Sequence, residues 1–236
     1  MASSACPSPP AAERTNPWSA TPHRRSRPDS SSPRRRNARR PARFLATDVT
    51  SAGEVDALVE AAAEFGGVDV MVCNAGITLP SDGAELAADG LHRLMAVNVD
   101  GVLFGAQAAA RRMKALGKAG SIVLMGSMGG LRGAAVTIAY STSKGGVVAP
   151  AKALADALGP DGIRVNAVCP GLIDTEMLRA TPGVADGTEA RRLRTPLRRL
   201  GRPAEIGDAV AWLGSDLSSY VSGIELPVDG GLISVI

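Results

Sequence analysis

From Phe44 onward the chain alternates short apolar runs with longer stretches in which apolar residues recur every three or four positions. "RFLATDV" is a run of the first kind and predicts a strand ending at Asp48. Ser51 then stands three residues before Glu54, the spacing of a capping box, and Val55, Leu58, Val59 and Ala62 follow at helical spacing. "VDVMVCNAG" (Val68–Gly76) reads as a second strand closing in a glycine turn. A helix is expected from about His92 to Leu116, and "SIVLM" (Ser121–Met125) as the next strand. Another helix is expected from about Thr137 to Leu158, then "IRVNAVCPG" (Ile163–Gly171) as strand and turn. Pro203–Leu213 reads as a helix and "GIELPVDGG" as a last strand. Buried strands alternating with helices of this length predict βαβ units, hence an α/β fold with a doubly wound parallel sheet covered on both faces.

Upstream of Phe44 the pattern vanishes. Residues 1–43 contain no Gly, Ile, Leu, Val or Phe, yet hold half of the 16 prolines. Such a segment buries too little to offset the entropy of ordering it, so a disordered tail is expected over 1–43 and a folded domain over 44–236. The tail holds ten arginines against Glu13 and Asp29, while the rest holds 16 basic and 21 acidic residues. The basic character therefore belongs to the tail, and no aromatic-interleaved basic patch downstream supports nucleic-acid binding. A targeting segment is a second reading of the tail, against which its repeated prolines argue; a misread start is a third.

Composition narrows the classes further. Hydrophobic content of 45% is ordinary, but 3% aromatic content means a core of Val, Leu, Ile and Ala. No run of 18 apolar residues exists, so no membrane span is expected. Three scattered cysteines (Cys6, Cys73, Cys169) fit free thiols in a reducing compartment, and a cytoplasmic location is the expectation. With two histidines and neither CxxC nor HxxxH spacing, no metal site is expected.

Candidate chemistry gathers at predicted strand ends. "YSTSK" places Tyr140 and Lys144 four residues apart on one helix face. A tyrosine with a pKa near ~10 is a poor base at neutral pH. An ammonium group one turn away favours the phenolate and makes it a better one. Ser127 follows the strand Ser121–Met125, and Asn74, Ala75 and Gly76, like Pro170 and Gly171, follow two others. In parallel α/β sheets, ligands sit at the carboxyl ends of the strands.

Together with Asp48-Val49, "NVDG" at 98–101, "RVNAVCPGLIDT" at 164–175 and "SDLSSYVSGIELPVDGG" at 215–231, these motifs resemble the short-chain dehydrogenase/reductase family, in order, over roughly Arg43 to Gly231. The resemblance implies a Rossmann-like sheet, NAD or NADP as cofactor, and hydride transfer with a small-molecule carbonyl or alcohol. It implies Tyr140 as general acid or base, with Lys144 lowering its pKa and holding the nicotinamide ribose. Ser127 would hydrogen-bond the substrate oxygen, and Asn98 would hold a water that relays protons to Lys144. Asp48 and Val49 would touch the adenine, and Asn74, Ala75, Gly76, Pro170 and Gly171 would flank the cofactor. Ile173 and Thr175 would hold the carboxamide. Residues 174–196 would form the substrate lid, and a homodimer or homotetramer is the family precedent.

Two departures matter. The family opens with a strand, a glycine-rich turn and a helix, whereas no glycine here precedes Gly53. The sheet is therefore expected to lack its first two strands. That would leave the Phe44 strand unpaired and the Val68 strand with an exposed apolar edge prone to aggregation. Pro150 falls inside the helix that often packs between subunits, so a kink there would disturb the usual oligomer. The competing functional classes are an active oxidoreductase, an inactive relative acting as an interaction protein, and a domain tethered through its basic tail.

Overall fold

The structure is a computed structural model that describes residues 41–79, 87–133, 135, 137–181 and 188–235. The tail expected over 1–43 lies outside the described residues apart from its last three. Contacts separate Met1–Phe44 from a compact unit, Leu45–Ile236, and the fold below is that of the second unit.

Four strands are described: β1 (Val70–Cys73), β2 (Gly120–Met125), β3 (Ile163–Pro170) and β4 (Glu225–Val228). They pair in the order β1-β2-β3-β4, all parallel, with Val70 opposite Ser121, Gly120 opposite Ile163 and Ala167 opposite Glu225. The unbroken apolar run at Ile122, Val123 and Leu124 is fully buried, because both faces of the sheet are covered. Ile122, Leu124, Val165 and Ala167 pack toward α1 (Ala52–Ala61), α3 (Gly101–Ala115) and α5 (Ile138–Leu158). Val123 and Val168 pack the other way, against Ile206, Val210 and Leu213 of α8 (Pro203–Leu213). The doubly wound arrangement expected from the sequence is thus present across these four strands.

The strand expected to end at Asp48 does not form. Residues 41–48 are irregular and lead into a turn. An extended segment becomes a strand only when a neighbour takes its backbone groups, and β1 lies at the edge of the described sheet. The Asp48 carboxylate instead accepts from the Thr50 backbone N–H (2.9 Å) and hydroxyl (2.8 Å), a local turn that competes with extended pairing. Ser51 does cap α1, accepting from Glu54 N at 3.3 Å. Glu54 reaches back one turn further than a capping box requires and accepts from Asp48 N at 2.8 Å.

The helix expected over 92–116 is a composite of α2 (Ala88–Met95), a π-helical turn at Ala96–Asp100, and α3. Pro150 does not end α5, which runs for 21 residues through it. Short helices α4 (Met128–Arg132), α6 (Glu176–Ala180) and α7 (Thr188–Arg194) complete the loops at the carboxyl ends of β2 and β3. Gly130 allows α4 to lie against α5, since a Cβ there would come within 2.5 Å of the Lys144 carbonyl carbon.

Candidate active site

The carboxyl ends of β1, β2 and β3 open into a cavity of about 830 Å³. Ten of the residues singled out from the sequence line it: Asn74, Ala75 and Gly76 after β1, Ser127 after β2, Tyr140 and Lys144 on α5, and Pro170, Gly171, Ile173 and Thr175 after β3. Asn98 stands directly behind them. Asp48 and Val49 do not line the cavity. Val49 packs on the core beside Gly101, where a Cβ would lie 2.9 Å from its Cγ2.

Each element sets its side chain by local chemistry. Ser127 is the N-cap of α4 in extended backbone, and its Oγ accepts from Gly129 N at 3.1 Å. That leaves the hydroxyl proton free to be donated, and the Ser127 hydroxyl is hydrogen-bonded with the Tyr140 phenol. The π-helical turn carries Asn98 into full burial. Its Oδ1 accepts from Ile77 N (2.8 Å), and its Nδ2 donates to Ile77 O and to Ser143 Oγ, both at 2.9 Å. Asn98 thereby clamps the loop after β1 onto α5, a use of π turns that recurs at functional sites. Thr175 caps α6, accepting from Leu178 N and donating to Ile173 O, both at 3.3 Å. Gly171 is forced by close approach, since a Cβ there would stand 2.5 Å from Asp229 Cβ.

The electrostatics differ from the expectation that Lys144 draws the Tyr140 pKa down. Burial pushes the Tyr140 phenol above its ordinary value, the Ser127 hydrogen bond pulls it partly back, and the Cys169 thiol adds to the rise. Lys144 donates from Nζ to Met125 O at 2.7 Å and lies 5.8 Å from the Tyr140 ring centroid. Burial pulls its own pKa down to about 8, against a smaller opposing effect of Cys169. The two groups therefore meet as a neutral phenol and an ammonium close to losing its proton. Gly76 borders both Lys144 and Asn98: a Cβ at this position would lie 3.3 Å from Lys144 Nζ and 3.4 Å from Asn98 Oδ1. The space it leaves open touches both groups.

Part of the lining gave no local signal in the sequence. Pro203, Ile206, Gly207 and Val210 of α8 and Leu232 contribute an apolar wall. They carry no chemistry-bearing group, and only the packing of α8 across the sheet brings Ile206 and Val210 there. The lid expected over 174–196 contributes Met177, Leu178 and Thr181, and its residues 182–187 lie outside the described residues. Among the described residues, no cluster of three or more His, Cys, Asp or Glu could hold a metal ion, and no helix is long and apolar enough to cross a membrane.

Comparison with known proteins agrees with this architecture. The enoyl-(acyl carrier protein) reductase family model matches residues 24–233. The chain is 41% identical to a cis-4-hydroxycyclohexanecarboxylate dehydrogenase of Sinomonas cyclohexanicum, over 85% of this chain and 80% of that one. It is 38% identical to an L-rhamnose 1-dehydrogenase (NAD(P)(+)) of Azotobacter vinelandii, over 80% of this chain and 74% of that one. A crystal structure of a short-chain type dehydrogenase/reductase from Mycobacterium marinum superposes with a TM-score of 0.74 at 37% identity, covering 80% of this chain and 74% of that one.

Proposed function

The chain belongs to the short-chain dehydrogenase/reductase family, and from that premise we propose that it is an oxidoreductase moving a hydride between NAD or NADP and a small carbonyl or secondary alcohol. The observation that carries this reading is the meeting of Ser127, Tyr140 and Lys144 at one cavity, with Asn98 clamped behind them.

The residues after β1 and β3 fit the nicotinamide end of such a cofactor. Asn74–Gly76, Pro170–Ile173 and Thr175 border the cavity, and Gly76 leaves open the space that a side chain would fill beside Lys144. When bound, the nicotinamide supplies or accepts the hydride. Tyr140, kept protonated by burial, donates its phenol proton to the substrate oxygen in reduction. Ser127 donates to the same oxygen and steadies the negative charge that develops there. In oxidation Tyr140 must act as base, so its phenol has to give up its own proton before it takes one from the alcohol. Asn98 holds Ile77 and Ser143, and a water in the gap beside Gly76 would connect its Oδ1 to Lys144 Nζ as a proton relay. Ile173 and Thr175 would hold the cofactor's carboxamide, and Met177 and Leu178 would belong to a lid over the substrate.

The same reading holds that residues 1–236 lack the family's first two strands. No glycine precedes Gly53, so the glycine-rich turn for the pyrophosphate has no counterpart there. Among the described residues β1 is an edge strand, with Val70 41% and Val72 37% exposed. Asp48 and Val49 then serve the fold more than the adenine.

Titrating the purified chain with NADH and NADPH, followed by cofactor fluorescence, tests the proposal. Binding, which would mean that another segment replaces the missing glycine-rich turn, with carbonyl turnover that falls about 10²–10⁴-fold in Tyr140→Phe while binding persists, is the expected result. A folded chain that binds neither cofactor would overturn it.

A further inference from the structure

Charge is nearly absent from the lining of the active cavity. Among the described residues that line it, Lys144 is the one charged side chain, and its ammonium donates to Met125 O. Two cations on the same loops are used elsewhere. Arg179 of α6 pairs with Asp174, and Arg132 of α4 donates to Ile233 O at 3.2 Å. Most of the threonine hydroxyls in the lining are also occupied. Thr181 donates to Met177 O at 2.7 Å, Thr175 bridges Ile173 O and Leu178 N, and Thr137 Oγ1 lies 3.4 Å from Ser141 Oγ. The side chains projecting between these groups are apolar: Met128, Met177, Leu178 and Leu232, with Ile206 and Val210 of α8.

We propose that the substrate is an uncharged, largely apolar ketone or secondary alcohol that presents a single oxygen to Ser127 and Tyr140. The inference rests on the oxidoreductase reading above and narrows it. A polyhydroxylated sugar would bring several hydroxyls against described lining side chains that are mostly apolar or already hydrogen-bonded. Sites lacking such partners discriminate strongly, because each buried polar group left unpaired is costly. A carboxylate would find no free cation among the described residues of that lining. The relatives named above act on a rhamnose and on a hydroxycyclohexanecarboxylate, so their names define the two alternatives against which this chain is set. An apolar cavity with few convergent polar groups fixes one functional group of its ligand and packs against the rest.

Three alcohols separate these possibilities: 4-methylcyclohexanol, cis-4-hydroxycyclohexanecarboxylate and L-rhamnose, each assayed with NAD⁺ and NADP⁺. We expect kcat/KM for 4-methylcyclohexanol to exceed the other two at least tenfold. Leu178→Arg and Met177→Arg, both placing a cation in the wall, should each raise the carboxylate-to-methylcyclohexanol ratio at least tenfold. Met177 is 41% exposed, so its replacement leaves the core intact. Wild-type preference for rhamnose or the carboxylate would overturn the inference while leaving the oxidoreductase reading in place. Absence of turnover of all three with both cofactors would count against that reading instead. The narrower inference is then decided by binding, read from ¹³C-methyl methionine signals assigned with Met177→Leu. Shifts of the Met177 methyl with 4-methylcyclohexanone and none with 4-oxocyclohexanecarboxylate or rhamnose are expected, and the reverse pattern would overturn it.

Discussion

Gly126 occupies a gap that no other residue could share comfortably. A Cβ there would lie 2.9 Å from Cys169 Sγ and 3.2 Å from Val168 O, immediately before Ser127. The Gly126 N–H also donates to Val168 O at 2.8 Å, locking β2 to β3 where the loop carrying Ser127 begins. Overpacking a buried site of this kind costs typically 1–3 kcal/mol. Gly126→Ala is expected to destabilise the chain by about 2 kcal/mol, read from urea denaturation. Adding Cys169→Ala removes the closer of the two contacts and should return part of that loss. Two substitutions that simply add would show that the sulfur is not the obstacle.

At the scale of elements, the sequence was most readable where a local signal and the tertiary environment agree. Pro203 at the first turn and the apolar spacing up to Leu213 marked α8 to the residue. The run at Ile122–Leu124 marked β2, and the four-residue spacing of Tyr140 and Lys144 placed both on α5. "RFLATDV" misled because a strand needs a neighbour, which a short apolar run does not announce. The π turn at Ala96–Asp100 was hidden because it alters hydrogen bonding inside an otherwise helical pattern. The apolar wall from α8 and Leu232 was hidden because no residue in it is chemically distinctive. Pro150 also belongs to this scale. It leaves Gly146 O without its usual α-helical donor and crowds that carbonyl, yet α5 continues through it. With the helix path already built, Pro150→Ala adds a donor and removes the crowding. It should stabilise the chain by about 1–3 kcal/mol, measured as a rise in the denaturation midpoint. A loss of stability would mean that the helix is bent around the proline and packed to suit that bend.

The whole molecule sums the buried titrating groups into one pH profile. Burial raises the thiols of Cys73 and Cys169 from 9.0 to about 12 and about 11, and lowers Lys144 from 10.5 to about 8. Between pH 8 and 9 the unfolded chain keeps the lysine proton that the folded chain has released. Stability then rises with pH, by about 1.4 kcal/mol per unit for one proton. Above pH 9 the unfolded chain loses both thiol protons while the folded chain retains them. Two protons now oppose one, and stability falls by a similar amount per unit up to pH 10. Beyond that Tyr140, also raised by burial, steepens the fall as the unfolded phenol ionises. Stability from urea denaturation between pH 7.5 and 10.5 should therefore peak near pH 9. In a Cys73→Ala, Cys169→Ala chain the absolute stability drops, but the lysine acts alone and the curve should keep rising to about pH 10. An unchanged alkaline slope in that variant would mean that neither thiol is shielded from water as deeply as β1 and β3 place them.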